Sequence, residues 1–84
     1  MATRDGSAQW DGNLQEGSGR VSVAGGAWEG EYTAASRFEE GDGTNPEELI
    51  AAAHAGCFSM ALSGELGRAG HEVDSVETEA TVHL

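Results

Sequence analysis

Apolar and polar positions alternate with a period of two near the start of the chain and again at its end, and the intervening stretch follows a different spacing. Arg20-Val21-Ser22-Val23, preceded by Gly17-Ser18-Gly19 and followed by the hairpin-like break Gly25-Gly26, has the alternation of a half-buried strand. Gln9-Trp10 runs into the turn-like Asp11-Gly12-Asn13. Tyr32-Thr33-Ala34-Ala35-Ser36-Arg37-Phe38, aromatic at both ends, reads as the longest strand, and the acidic, glycine-interrupted loop Glu39 to Gly43 follows it. Residues 1–43 are therefore expected to form short strands and turns.

A helix is predicted over 45–70. Asn45 suits the N-cap, Pro46 the first helical position, where no N–H is needed, and Glu48 the capping-box position three residues beyond Asn45. Glu47 and Glu48 also suit the positive end of the helix dipole. The segment is rich in alanine, and its larger side chains, Ile50, Phe58, Met60, Leu62 and Leu66, are spread around more than one face, as in a buried helix. Gly67 and Gly70 offer stops, giving about 20–24 residues and roughly 30–36 Å. Over 73–84 the period returns to two: Val76, Thr78, Ala80, Val82 and Leu84 alternate with Glu77, Glu79, Thr81 and His83, an amphipathic strand with an open edge. The pattern as a whole is α+β, and it reads as the N-terminal portion of a single domain, 1–84, cut within its fold.

Composition sharpens that picture. Leu, Ile, Val and Phe number thirteen of 84 residues, below the roughly one-fifth under which a highly charged chain is suspected of disorder, so the chain is expected to bury surface against something outside these residues. Fifteen carboxylates face four arginines and no lysine, for a net charge of −11. That leaves no basic footprint for nucleic acid or an anionic membrane, and it matches a protein kept soluble in high salt. The N-terminus shows no secretory signal and no stretch reads as a membrane span, so a cytoplasmic location is expected. A single cysteine, Cys57, excludes an internal disulfide.

That cysteine is either packed or chemical. Free cysteine is commonly buried, and a reactive thiol needs a cation, a hydrogen-bond donor or a helix N-terminus to hold its thiolate. Arg37, at the end of the longest predicted strand, is the most suggestive cation; Arg4 and Arg68 lie at a frayed start and a helix end, and Arg20 on another strand. His54 and Cys57 share a helical face at i, i+3, a spacing that supplies two ligands of a zinc site that needs four, with His71 and His83 remaining. As a base for Cys57, His54 is poorly aligned. A cysteine hydrolase lacks a general base and an oxyanion arrangement here.

The run from Gly43-Thr44-Asn45-Pro46-Glu47-Glu48-Leu49-Ile50 through His54-Ala55-Gly56-Cys57-Phe58-Ser59-Met60-Ala61-Leu62 resembles the signature of the OsmC/Ohr family of organic hydroperoxide reductases, specifically its OsmC branch. Trp10-Asp11-Gly12, Gly17-Ser18-Gly19, Arg37-Phe38 and Ala69-Gly70 are similar to that branch as well, so the resemblance runs through nearly the whole chain. It implies an α+β, OsmC-like fold, an intertwined homodimer with active sites at the interface, and peroxidase activity in osmotic and oxidative stress defence. Cys57 falls at the peroxidatic position, Arg37 at the arginine that activates the thiol and orients the peroxide, and Glu47 at the carboxylate that positions the arginine. The resemblance implies no bound cofactor, an organic hydroperoxide substrate and an external thiol reductant, a dithiol or lipoyl-type protein. The family's second, resolving cysteine has no counterpart here. A non-catalytic dimerisation or stress-associated module in which Cys57 only packs, or an inactive fragment, is the alternative.

Helix geometry adds one constraint. Ten residues of straight helix separate Glu47 from Cys57 by about 15 Å. Either the helix breaks near Gly56, or Glu47 serves the cysteine of a two-fold-related subunit, and the second is expected.

Overall fold

A computed structural model describes residues 2–84. They divide into two compact units, one ending at Pro46 and the other running from Glu47 to Leu84.

The first unit is a meander of three antiparallel strands, β1 (Gly6–Asp11), β2 (Ser18–Val23) and β3 (Trp28–Tyr32), in the order β1-β2-β3. The Asn13 side chain builds the first connection: its Oδ1 accepts from the Glu16 N–H at 2.7 Å and its carbonyl from the Gly17 N–H at 2.9 Å. A 3-10 turn, Ala24–Gly26, makes the second, where Gly25 and Gly26 take the positive φ that the sequence break anticipates.

The register sorts the side chains by polarity. Trp10 pairs with Gly19 and Gly19 with Tyr32, while Ala8 pairs with Val21 and Val23 with Trp28, so these apolar residues share one face; Gln9, Arg20, Ser22, Glu29 and Glu31 occupy the other. Gly19 is buried because it has no side chain: Trp10 and Tyr32 meet over it with ring centroids 5.4 Å apart, and a Cβ there would stand 2.6 Å from the tyrosine ring. Arg20 lies 3.9 Å from Glu29 and 3.4 Å from Glu31, exposed pairs worth at most about 1 kcal/mol.

The segment expected to continue as a strand to Phe38 turns instead into a short helix, α1 (Ala34–Phe38). Thr33 is its N-cap: Thr33 Oγ1 accepts from the Ser36 N–H at 3.1 Å, and Ser36 Oγ accepts from the Thr33 N–H at 2.7 Å. The aromatic ends suggested a strand, but Ala34-Ala35-Ser36-Arg37 contains no β-branched residue to favour one, and the reciprocal cap satisfies two N–H groups that a helix start otherwise leaves free. The acidic loop then returns to the sheet, with the Thr44 N–H donating to the Glu31 carbonyl at 2.9 Å. Gly43 makes that approach at φ +101°, and a Cβ there would lie 2.6 Å from the Glu31 oxygen. Gly43→Ala is accordingly expected to destabilise this unit by about 1–3 kcal/mol, measured by denaturant titration of tryptophan fluorescence, whereas Gly25→Ala, where a Cβ meets nothing within 4 Å, should cost less.

The second unit is dominated by α2 (Pro46–Arg68), which begins at the predicted proline. It closes on a Schellman motif in which the His71 N–H donates to the Leu66 carbonyl and the Gly70 N–H to the Gly67 carbonyl, Gly70 adopting φ +92°. Two expectations fail here. No residue of α2 is buried, and among the described residues no hydrophobic side chain is buried at all. The strand expected over 73–84 does not form: residues 71–84 carry no ladder, because a strand requires a partner backbone and none pairs with them.

The alternation nonetheless survives in burial as far as Ala80, beyond which Val82 and Leu84 are exposed. Val76, Thr78 and Ala80 are half-buried while Glu77 and Glu79 are exposed. On α2 the half-buried positions Ala51, Ala55, Ser59 and Ser63 recur every fourth residue as one stripe, and Ser59 shares a 2.7 Å hydroxyl hydrogen bond with Thr78. Replacing Thr78 by valine should raise amide hydrogen exchange in 73–82, corresponding to a loss of about 0.5–1.5 kcal/mol in local stability, and leave α2 helical.

The sequence expectation of no membrane-spanning stretch also needs correction. By length and composition α2 is apolar enough to cross a membrane. Its many alanines raise its hydropathy, and the core helix of a soluble protein has the same character.

Candidate active site

Cys57 stands near the middle of α2 with its thiol exposed. No side chain of the described residues packs over the thiol enough to bury it. Counting 100° per residue, Cys57 lies about half a turn around the helix from the Ala51-Ala55-Ser59-Ser63 stripe, on the side that carries Ile50, His54 and Ala61. Ile50 is 60% exposed and Phe58, the next residue after Cys57, 51%. The thiol therefore sits on an open, largely apolar helix surface.

Glu47 occupies the first turn of the same helix and is half-buried. The helix runs without interruption from Pro46 to Arg68, through Gly56. Ten residues of rise then place Glu47 and Cys57 about 15 Å apart along the axis. A break at Gly56 is excluded, so Glu47 does not approach the cysteine of its own helix.

Arg37 belongs to the first unit and lies on α1 rather than on a strand. It is the last-turn cation of that helix, and its guanidinium carbon lies 4.8 Å from the centroid of the adjacent Phe38 ring, a cation–π contact. The side chain is exposed. The residues that hold it, Thr33 and Ser36, escaped sequence reasoning because the reciprocal cap here ends in serine, where the recognisable pattern has Glu or Gln. Asn45 reinforces the same corner by donating its side-chain amide to the Ser36 carbonyl at 2.9 Å.

A groove of about 630 Å³ crosses the polar face of the sheet, where Arg20, Glu29, Glu31 and Asp42 line it together with serine hydroxyls. It holds no nucleophile with a base and none of the three residues singled out by the sequence. Among the described residues no group of three or more His, Cys, Asp or Glu side chains gathers where it could hold a metal ion. The chemistry the chain offers is that of one accessible thiol.

Comparison with known proteins bears on that thiol. The family model described as OsmC-like protein matches residues 39–84, which include Glu47, His54 and Cys57. The chain is 50% identical over 82 residues to Peroxiredoxin OsmC of Escherichia coli (strain K12), and equally to Peroxiredoxin OsmC of Shigella flexneri. Each match takes in 96% of this chain and 57% of the relative, so the chain spans little more than half the length of the curated relatives it matches.

Proposed function

The chain belongs to the OsmC family, and from that membership we propose that it is a thiol-dependent peroxidase that reduces organic hydroperoxides. The observation that carries the reading is the free, exposed Cys57 within the segment matched to the family. The Cys57 thiolate attacks the distal peroxide oxygen, the O–O bond breaks, and the sulfur is oxidised to a sulfenic acid as the peroxide is reduced to an alcohol. Arg37 stabilises the thiolate and orients the peroxide with its fixed fork of donors, and Glu47 positions the arginine. An external thiol, a dithiol or lipoyl-type protein, returns the sulfur to the thiol. It condenses with the sulfenic acid, releasing water, and a second thiol opens the resulting mixed disulfide.

The working unit in this reading is a homodimer. Because Glu47 and Cys57 stand far apart on an uninterrupted helix, the glutamate acts on the site of the partner subunit. The exposed Ile50, Phe58, Met60 and Leu62 supply the apolar surface for that association and for the organic part of the peroxide. Treating the chain with a stoichiometric organic hydroperoxide in the presence of a sulfenic-acid trap should label Cys57. An unlabelled thiol after exposure to excess peroxide would overturn the proposal.

A further inference from the structure

We propose that His54 is the general acid that protonates the alkoxide leaving from the peroxide as Cys57 attacks, an assignment that rests on the peroxidase reading above. An alkoxide is strongly basic and departs slowly unless a proton reaches it. The proton balance shows what is needed: sulfur takes the distal oxygen together with the hydrogen that oxygen already carries, and the second oxygen leaves with the electron pair of the O–O bond. A separate donor must supply its proton. Arg37 cannot, since a guanidinium does not give up a proton in proteins. Histidine exchanges protons readily near neutrality.

The placement of His54 fits the task. It precedes Cys57 by three residues on an uninterrupted helix, both are exposed, and both lie on the side away from the half-buried stripe. Their Cβ atoms are then about 5–6 Å apart, wider than a direct nucleophile–base pair needs. A peroxide between them, its distal oxygen about 3 Å from sulfur and its leaving oxygen about 3 Å from a ring nitrogen, calls for a spacing of this order. The separation that makes His54 a poor base for the thiol suits it to act on the far oxygen.

The test varies the basicity of the leaving group. Wild-type chain and His54→Gln are compared in the rate of Cys57 oxidation by an alkyl hydroperoxide, which expels an alkoxide, and by a peroxycarboxylic acid, which expels a weakly basic carboxylate. Alkylation by iodoacetamide serves as the control for thiol reactivity. His54→Gln should slow the alkyl hydroperoxide reaction about 100-fold while oxidation by the peracid and alkylation change little. Equal slowing with both oxidants, or no slowing with either, would overturn the role of His54 alone. Wild-type oxidation by the alkyl hydroperoxide no faster than that of free cysteine would overturn the peroxidase reading, and this one with it.

Discussion

Exchanging Cys57 for serine is expected to abolish peroxide reduction, because the reaction requires a sulfur that can be oxidised and a hydroxyl has no accessible counterpart to the sulfenic acid. Exchanging Arg37 for alanine is expected to slow Cys57 oxidation by about 100- to 1,000-fold, the loss typical when one preorganised donor to a developing charge is removed. The two variants separate nucleophile from electrostatic support. The first removes the reacting atom, whereas the second leaves it in place with a smaller thiolate fraction and a poorly oriented peroxide. Arg37→Lys should recover only part of the rate, since lysine restores the charge without the planar fork. Stopped-flow measurement of peroxide consumption reads all three, and an Arg37→Ala variant as fast as wild type would remove the arginine from the mechanism.

The second large effect concerns which helix supplies Glu47. The chains Cys57→Ser and Glu47→Ala should each be deficient alone, the first because it has no thiol and the second because the arginine is misplaced. Co-assembled, they are expected to regain activity. In a heterodimer the intact Glu47 of the serine variant faces the intact Cys57 of the alanine variant, so one of the two sites is complete, and random pairing of equal amounts restores about one quarter of the wild-type sites. If Glu47 acted within its own helix, no complete site would form in any mixture. The uninterrupted path of α2 through Gly56 makes complementation the expected result.

Much of this chain can be read from its residues because the decisive signals are local. Pro46 with Glu47 and Glu48 marks a helix start whatever surrounds it, and Gly70 marks its end by the positive φ it can adopt. The alternation at Arg20 to Val23 likewise fixes which side of β2 turns to the apolar face. The turn of the chain at Thr33 was not legible in the same way, because aromatic residues at Tyr32 and Phe38 suit a strand and the Thr33–Ser36 cap falls outside the usual pattern. Burial was legible only in its deficit. Thirteen branched-aliphatic and phenylalanine residues foretold a chain that cannot enclose a core, and the structure leaves Ile50, Phe58 and Met60 in the open. For Val76 to Ala80 the period of two correctly sorted half-buried from exposed positions, but Val82 and Leu84, on the same predicted face, are exposed, and periodicity does not itself provide a partner strand.

As for the site, the sequence placed Cys57 and Glu47 on one helix, and the structure adds that the thiol is accessible and that the helix does not bend to join them. The role of His54 depends on both facts. An i, i+3 spacing has chemical meaning only once the helix is known to be continuous and the two side chains are known to share an open surface.

The central claim, that Cys57 is a peroxidatic thiol, is tested most directly by the second-order rate constant for its oxidation by an organic hydroperoxide, measured beside free cysteine at the same pH. The account predicts a rate orders of magnitude above that of free cysteine, reduced sharply in Arg37→Ala and absent in Cys57→Ser. A rate equal to that of free cysteine and unchanged by loss of Arg37 would contradict it.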